Sequence, residues 1–161
     1  MKIAINATCF NENPSGAKKR FINIYKKIFL KLHNSEFIIF EPRDCEIKNW
    51  FGNLKNVKYI KTSLLSTNSI QRYVYGLFYW QKILKNINYD ILEWFHLPLI
   101  NLDKNKTLLT IHDVRYNKFP HLYSLPRRFA ANTVLLKSLN NANTILTVSQ
   151  SIKNELLKYD T

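Results

Sequence analysis

Short apolar runs alternate with longer amphipathic segments along this chain. The run from Lys2 to Asn6 is rich in β-branched residues and predicts a first strand. From Ala17 the pattern has a helical period, because Phe21, Tyr25 and Phe29 recur at every fourth position with lysines between them. The alternation continues and predicts strands at 37–40, 57–60, 91–95, 107–111 and 144–148, helices at 70–84 and 127–139, and a final helix capped by Ser149 or Ser151.

This alternation is typical of a parallel sheet that helices cover on both faces. The chain has 161 residues, which suits one domain, and neither an internal repeat nor a linker interrupts it. The sequence therefore predicts a single α/β domain with a Rossmann-like, doubly wound parallel sheet.

The chain is strongly basic, with 24 basic and 11 acidic residues and a formal net charge of +13. Such a charge can attract nucleic acid, an anionic membrane or an anionic substrate. Lysine, asparagine and isoleucine recur throughout, however, so composition bias explains the charge equally well. The charge by itself selects no function.

Cysteine usage and the length of the apolar runs favour the cytoplasm. Cys9 and Cys45 are too few for a disulfide framework and lack metal-ligand spacing, so no metal site is predicted. No apolar run approaches the ~18 residues of a membrane-spanning helix, and the N-terminus lacks the layout of a signal peptide. We therefore expect a cytoplasmic protein.

Most polar residues that could carry chemistry follow predicted strands. Gly16 comes after the first strand, His96 ends one central strand, His112 and Asp113 end the next, and Ser149 ends the last. Ligands bind beyond the carboxyl ends of the strands in open parallel sheets, so these residues share the functional edge. Each also has a structural explanation, since a histidine there can bond to nearby backbone and a serine can cap a helix.

The loop at Gly16 can accept an anion. A glycine lets a phosphate approach closely, and the start of the following helix offers free amides. The loop is neither a GxGxxG motif nor a P-loop, and the chain has no paired-cysteine or His-x-x-x-His pattern. His112 and Asp113 do not form a dyad, because adjacent residues near a strand end point in different directions. Hydrolase and metalloenzyme functions therefore have little support.

Four sets of segments, in chain order, resemble a known family. They are PSGAKKR at 14–20; WQ at 80–81 with DIL at 90–92 and HLP at 96–98; TIHD at 110–113 with FP at 119–120; and RR at 127–128 with NAN at 141–143 and TVSQS at 147–151. Together they resemble the N-terminal domain of the family 4 glycosyltransferases. Those enzymes have the two-Rossmann GT-B fold and transfer a sugar from a nucleotide-sugar donor.

The resemblance implies a role for each residue at the predicted edge. His112 would contact the transferred sugar and Asp113 would shape the acceptor pocket, so these two are the implied catalytic residues. His96 would lie on the acceptor side. The implied donor side consists of Gly16, Lys19, Arg20 and Ser149.

This chain departs from the family pattern in two ways. Lys18 stands where many relatives have a second glycine, so either Lys19 or Arg20 matches the family's basic residue. The chain also ends at Thr161, and the donor-binding second domain with its paired glutamates is absent from it. Residues 1–161 would then be the acceptor-side half of a GT-B architecture. We expect a truncated or split transferase that is inactive without a C-terminal domain on a separate chain.

The resemblance also implies the reaction. The enzyme would be mannosyltransferase-like and would move a hexose from a nucleotide sugar to a polysaccharide or lipid-linked acceptor. Members of the family usually retain the anomeric configuration and need no metal. The nucleotide sugar is a substrate, so no cofactor is implied.

A noncatalytic basic binding module is the alternative function. The predicted helix at 70–84 has aromatic residues around most of its circumference, with Arg72, Lys82 and Lys85 nearby, so it could rest on the anionic inner face of a membrane. Nucleic acid is less favoured as a partner, because the basic residues are spread along the chain and no binding motif is present. A noncatalytic half that only pairs with a partner chain is a third hypothesis. The aromatic residues of this helix are Tyr73, Tyr75, Phe78, Tyr79 and Trp80.

Overall fold

The computed structural model describes residues 1–100, 103, 106–114, 116 and 119–159, without the side chain of Tyr75. The strands are β1 (Lys2–Asn6), β2 (Glu36–Glu41), β3 (Val57–Lys61), β4 (Ile91–Trp94), β5 (Thr107–Ile111) and β6 (Thr144–Thr147). These six strands of the described residues form one parallel sheet in the order β3-β2-β1-β4-β5-β6. The order turns back at β1, as in doubly wound α/β folds. The predicted fold class is therefore confirmed.

Helices connect most of the strands. They are α1 (Gly16–Lys31), α2 (Lys48–Phe51), α3 (Ser69–Leu84), α4 (Leu125–Asn141) and α5 (Gln150–Leu156), with a 3₁₀ turn at Pro120–Leu122. The sequence predicted all of these α-helices except α2. Within the described ranges, no helix combines the length and the apolar character that crossing a bilayer requires.

The chain divides into two compact units, Met1–Glu93 and Trp94–Thr161. In the first unit, Phe37 of β2 is aligned with Ile3 of β1 on one side and with Val57 of β3 on the other. The expectation that residues 1–161 make up one acceptor-side domain stays a prediction, and its last residue, Thr161, lies outside the described residues.

One aromatic face of α1 covers the sheet of the first unit. Phe21, Tyr25 and Phe29 are the buried residues of this helix. The ring of Phe29 packs against that of Phe37 in β2, with centroids 4.8 Å apart. The helical period found in the sequence therefore reflects burial against β2, and Lys26 and Lys27 lie exposed between the buried rings.

In the second unit, α4 holds the segment that follows β4. This helix buries Leu135, Ser138 and Leu139. The Ser138 hydroxyl accepts a hydrogen bond from the backbone N–H of Leu99 at 2.9 Å. The bond anchors the chain directly after residues 96–98, in which the Leu97–Pro98 peptide bond is cis. His96, one of the residues at the predicted edge, thus lies in a segment that the hydrogen bond between Leu99 and Ser138 anchors.

Candidate functional site

The loop after β1 and the start of α1 border a cavity of about 550 Å³. Helix α1 begins here because the Ser15 side chain accepts the N–H of Lys18 at 3.1 Å, and the Ser15 carbonyl accepts the N–H of Lys19 at 3.0 Å. This cap provides no hydrogen-bond partner within the helix for the backbone N–H groups of Gly16 and Ala17. A Cβ atom on Gly16 would meet nothing within 4 Å, so an anion has space to approach these amides. The lining residues are Pro14, Ser15, Gly16, Lys18, Lys19, Ile22 and Asn23.

The two lysines of this cavity differ in their electrostatic surroundings. Lys18 Nζ lies 3.1 Å from Glu12 Oε2 and 4.3 Å from the centroid of the Trp50 ring. The pKa of Glu12 lies below its ordinary value, mainly because its carboxylate accepts a hydrogen bond from Lys18. Hydrogen bonds from Cys45 and Trp50 lower this pKa further. Lys19 is exposed and has no ion pair among the described residues. An anion in this cavity would therefore meet an uncompensated charge at Lys19.

The residues that follow β4 and β5 form a second cavity. His96 comes two residues after β4, and His112 and Asp113 directly follow β5. All three line one cavity of about 220 Å³. The ring of Trp94 lies 5.2 Å from that of His96, and the ring of Phe95 stacks at 6.2 Å from that of His112. The two imidazoles are thus half-buried against aromatic rings, whereas Asp113 is exposed to solvent.

Tyr116 belongs to the same cavity and was missed by the sequence analysis. Its hydroxyl is buried, and burial is the main cause that raises its pKa, with smaller contributions from Tyr159 and Asp113. The only signal in the sequence is its place three residues after Asp113, and nothing else separates it from the other tyrosines of the chain. The remaining lining residues are Phe95, Leu97, Thr110 and Ile111.

A family model accounts for most of the chain. Residues 32–161 match the model of Glycosyltransferase Family 4, which is well over half of the sequence. The chain belongs to glycosyltransferase family 4. Its function is therefore of the glycosyltransferase type, and the predicted family is confirmed. No curated protein matches the chain.

Family membership bears unequally on the two cavities. His96, His112 and Asp113 lie within the matched residues of this glycosyltransferase domain, whereas Gly16 and Lys19 precede them. The second cavity therefore lies within the residues that the family model matches, and Gly16 and Lys19 of the first lie outside them. The individual role of each residue stays a prediction.

Two residues of the implied donor side do not line either cavity in the part of the chain that the structure describes. Arg20 is half-buried on α1, next to Lys19. Ser149 caps α5, because its side chain accepts the N–H of Ile152 at 3.3 Å. Capping thus accounts for the hydrogen bond of the Ser149 side chain, and the donor roles of both residues stay predictions.

No metal-binding cluster occurs in the described ranges, where no three His, Cys, Asp or Glu side chains are grouped as ligands would be. Cys9 and Cys45 are free thiols. Burial raises the pKa of each to about 12, so both remain protonated and unreactive at neutral pH.

Proposed function

We propose that residues 1–161 form the acceptor-side half of a retaining, metal-independent glycosyltransferase. The enzyme transfers a hexose, for which mannose is the first choice, from a nucleotide sugar to a polysaccharide or lipid-linked saccharide. A second Rossmann domain, on the same or a separate chain, binds most of the donor. The observation that carries the proposal is the cavity shared by His96, His112 and Asp113 in a chain of family 4.

The chemistry of this cavity suits the handling of hydroxyl groups. The imidazole of His112 can hydrogen-bond to a hydroxyl of the transferred sugar, while its stacking on Phe95 restricts the orientation of the ring. The exposed carboxylate of Asp113 can accept a hydrogen bond from the attacking hydroxyl and orient it. His96 extends the same wall toward the acceptor. These groups orient the transferred sugar and the attacking hydroxyl without a metal or cofactor.

The loop cavity supports the donor side of the proposal. Departure of a nucleoside diphosphate leaves negative charge on the leaving oxygens, which amides and cations stabilise. The open amides of Gly16 and Ala17 and the uncompensated ammonium group of Lys19 are suited to that task. Arg20 and Ser149 are retained as further donor-side candidates.

Sugar transfer by this chain joined to a donor-binding domain tests the proposal. The assay measures release of nucleoside diphosphate from a panel of nucleotide hexoses in the presence of saccharide acceptors. His112→Ala should lower kcat by about 100- to 1,000-fold, the usual effect of losing one polar contact to the reacting centre. His33→Ala, an exposed histidine after α1, is the matched control and should leave the rate unchanged.

Two results would contradict the proposal. An unchanged rate for His112→Ala would reduce this histidine to a structural residue. A normal rate from the isolated chain would show that no second domain is needed.

Docking to an anionic membrane is a second candidate function, and it rests on α3. Five large apolar side chains spaced by three and four residues form an exposed face, the α3 stripe, in which Ile70 and Phe78 are 74% and 76% exposed. Helix α3 contains no Asp or Glu, and Lys82 and Lys85 are exposed at its end. An apolar face with positive charge fits an anionic lipid surface. The α3 stripe consists of Ile70, Tyr73, Val74, Leu77 and Phe78.

Three other aromatic and basic residues of α3, Trp80, Tyr79 and Arg72, do not contribute to this face. Trp80 is fully buried and packs on Phe40, with ring centroids 5.0 Å apart. The Tyr79 hydroxyl accepts the backbone N–H of Ser63 at 3.3 Å. The guanidinium of Arg72 donates to carbonyl groups of the preceding loop. The lipid-facing surface is therefore narrower than the sequence predicted, and the side chain of Tyr75 lies outside the described residues.

Vesicle sedimentation tests the lipid surface. At low salt, the chain should bind vesicles of phosphatidylcholine with phosphatidylglycerol and should not bind phosphatidylcholine alone. Phe78→Ser should lower the bound fraction, whereas the matched control Leu30→Ser, a 70% exposed leucine on α1, should not. A cytoplasmic protein, peripheral on the inner face of the membrane, is consistent with that outcome. Equal sedimentation with both vesicle types would refute docking, and steeply salt-dependent binding to a random oligonucleotide would favour nucleic acid instead.

A further inference from the structure

Tyr116 lines the cavity that His96, His112 and Asp113 also line, and its hydroxyl is buried. It has no hydrogen-bond partner among the described residues. Buried polar groups are normally paired, because desolvation without a partner costs free energy. A buried hydroxyl without a partner, on a residue that lines a cavity, is a candidate contact for a ligand that enters the cavity.

We infer that Tyr116 is a sugar-binding residue whose hydroxyl bonds to a hydroxyl group of the sugar ring in this cavity. The inference rests on the proposed glycosyltransferase function and adds a specificity-determining contact to it. Tyr116 selects and orients the ring, and it takes no part in breaking or forming the glycosidic bond.

The surroundings of Tyr116 fit a neutral sugar ring better than an anion. Burial raises the pKa of Tyr116, so its hydroxyl stays protonated and can both donate and accept a hydrogen bond. The carboxylate of Asp113 at the same cavity disfavours a second negative charge. Phe95 and Ile111 provide apolar wall for the C–H face of a ring. At about 220 Å³, the cavity suits one ring rather than a larger ligand.

Tyr116→Phe tests the contact, because it removes the hydroxyl and keeps the aromatic ring. Free mannose, glucose and galactose at millimolar concentration, and the corresponding nucleotide sugars, are titrated into the full chain by ligand-observed NMR. The dissociation constant of the sugar that binds should rise about 3- to 10-fold, the usual effect of one lost neutral hydrogen bond. Tyr123→Phe is the matched control from the same unit and should bind as the wild type does.

Thermal stability separates a binding role from a structural one. Since the Tyr116 hydroxyl has no partner in the described ranges, Tyr116→Phe should melt at the same temperature as the wild type or slightly higher. The loss of affinity should also disappear with the monodeoxy sugar that lacks the contacted hydroxyl. A lower melting temperature together with an equal loss for every deoxy analogue would overturn the inference.

Failure of the inference and failure of the proposed function give different results. If a sugar binds and His112→Ala weakens it but Tyr116→Phe does not, the proposed function stands and the inference is wrong. If no hexose and no nucleotide hexose binds either the isolated chain or the chain joined to a donor-binding domain, both are wrong. A loss with free hexoses supports the inference and assigns the ring to the acceptor, whereas a loss confined to nucleotide sugars supports it and assigns the ring to the transferred sugar.

Discussion

Tyr25→Phe removes one buried hydrogen bond from the core of the first unit. The hydroxyl of Tyr25 donates to the carboxylate of Glu93 on β4, and the two residues are 5% and 6% exposed. The tyrosine ring lies between Phe21 and Phe29, with centroid distances of 4.8 and 5.4 Å. A phenylalanine ring keeps these contacts, so the substitution changes the hydrogen bond and little else.

The expected loss follows from the burial of the pair. A typical hydrogen bond stabilises a fold by about 0.5–1.5 kcal/mol, and leaving a buried acceptor unsatisfied costs about 1–3 kcal/mol. Glu93 has further contacts that remain and limit the second cost. We therefore expect the free energy of unfolding to fall by about 2 kcal/mol. For a chain of this length, the melting temperature should drop by about 4–8 °C.

Urea unfolding followed by tryptophan fluorescence measures this difference. Tyr73→Phe is the matched control, because that side chain is 44% exposed and its substitution should stay within about 0.5 kcal/mol of the wild type. Glu93→Gln in both backgrounds completes a double-mutant cycle that isolates the energy of the pair. Equal stability of Tyr25→Phe and the wild type would refute the reasoning that this bond stabilises the core.

Two further changes test local features of the first unit. Burial alone raises the pKa of Asp44, but bonds from Ser66 and Thr67 outweigh it and hold the pKa below its ordinary value. The stabilisation by this carboxylate is complete above its unfolded pKa of about 3.9 and is lost as the pH falls through the lower folded pKa. Asp44→Asn should therefore lower stability at pH 7 and flatten the acid limb of urea unfolding between about pH 4 and 2; an unaltered acid limb would contradict this. Ser15→Ala should cost about 1 kcal/mol by removing the cap of α1, and Ser15→Thr should restore most of it. Equal melting temperatures of all three proteins would count against the cap.

Strands β1 and β5 were predictable because both are buried along most of their length, and a strand buried on both faces is apolar throughout. β5 begins at Thr107 and ends at Ile111 as the apolar run predicts, and β1 agrees equally well. Helix α2 was missed because four residues, Lys48–Phe51, are too few to establish a helical period. Helix α1 starts one residue before the predicted position, at Gly16, because the cap at Ser15 sets its first turn.

The grouping of His96, His112 and Asp113 was predictable from topology alone. Strands that run parallel bring their carboxyl ends to one edge, so residues that end two such strands can meet there. Tyr116 could not be found in this way, because it follows no strand directly and belongs to no motif. Its relevance depends on the three-dimensional path of the chain after β5, and a pattern of apolar residues contains no information on that path. The same limit applies to α3, where the pattern could not tell that Trp80 faces the core and Phe78 faces solvent.

The basic residues at the start of α1 show why formal charge is a poor guide to an anion site. Lys18, Lys19 and Arg20 are consecutive, and the sequence cannot rank them. In the structure, the charge of Lys18 is balanced by Glu12 at 3.1 Å, so it contributes little field to the loop cavity. Lys19 lies one position further along the helix, exposed and lining the cavity. A diphosphate in the loop cavity would therefore meet the positive charge of Lys19. Lys18, which pairs with Glu12, mainly stabilises the loop.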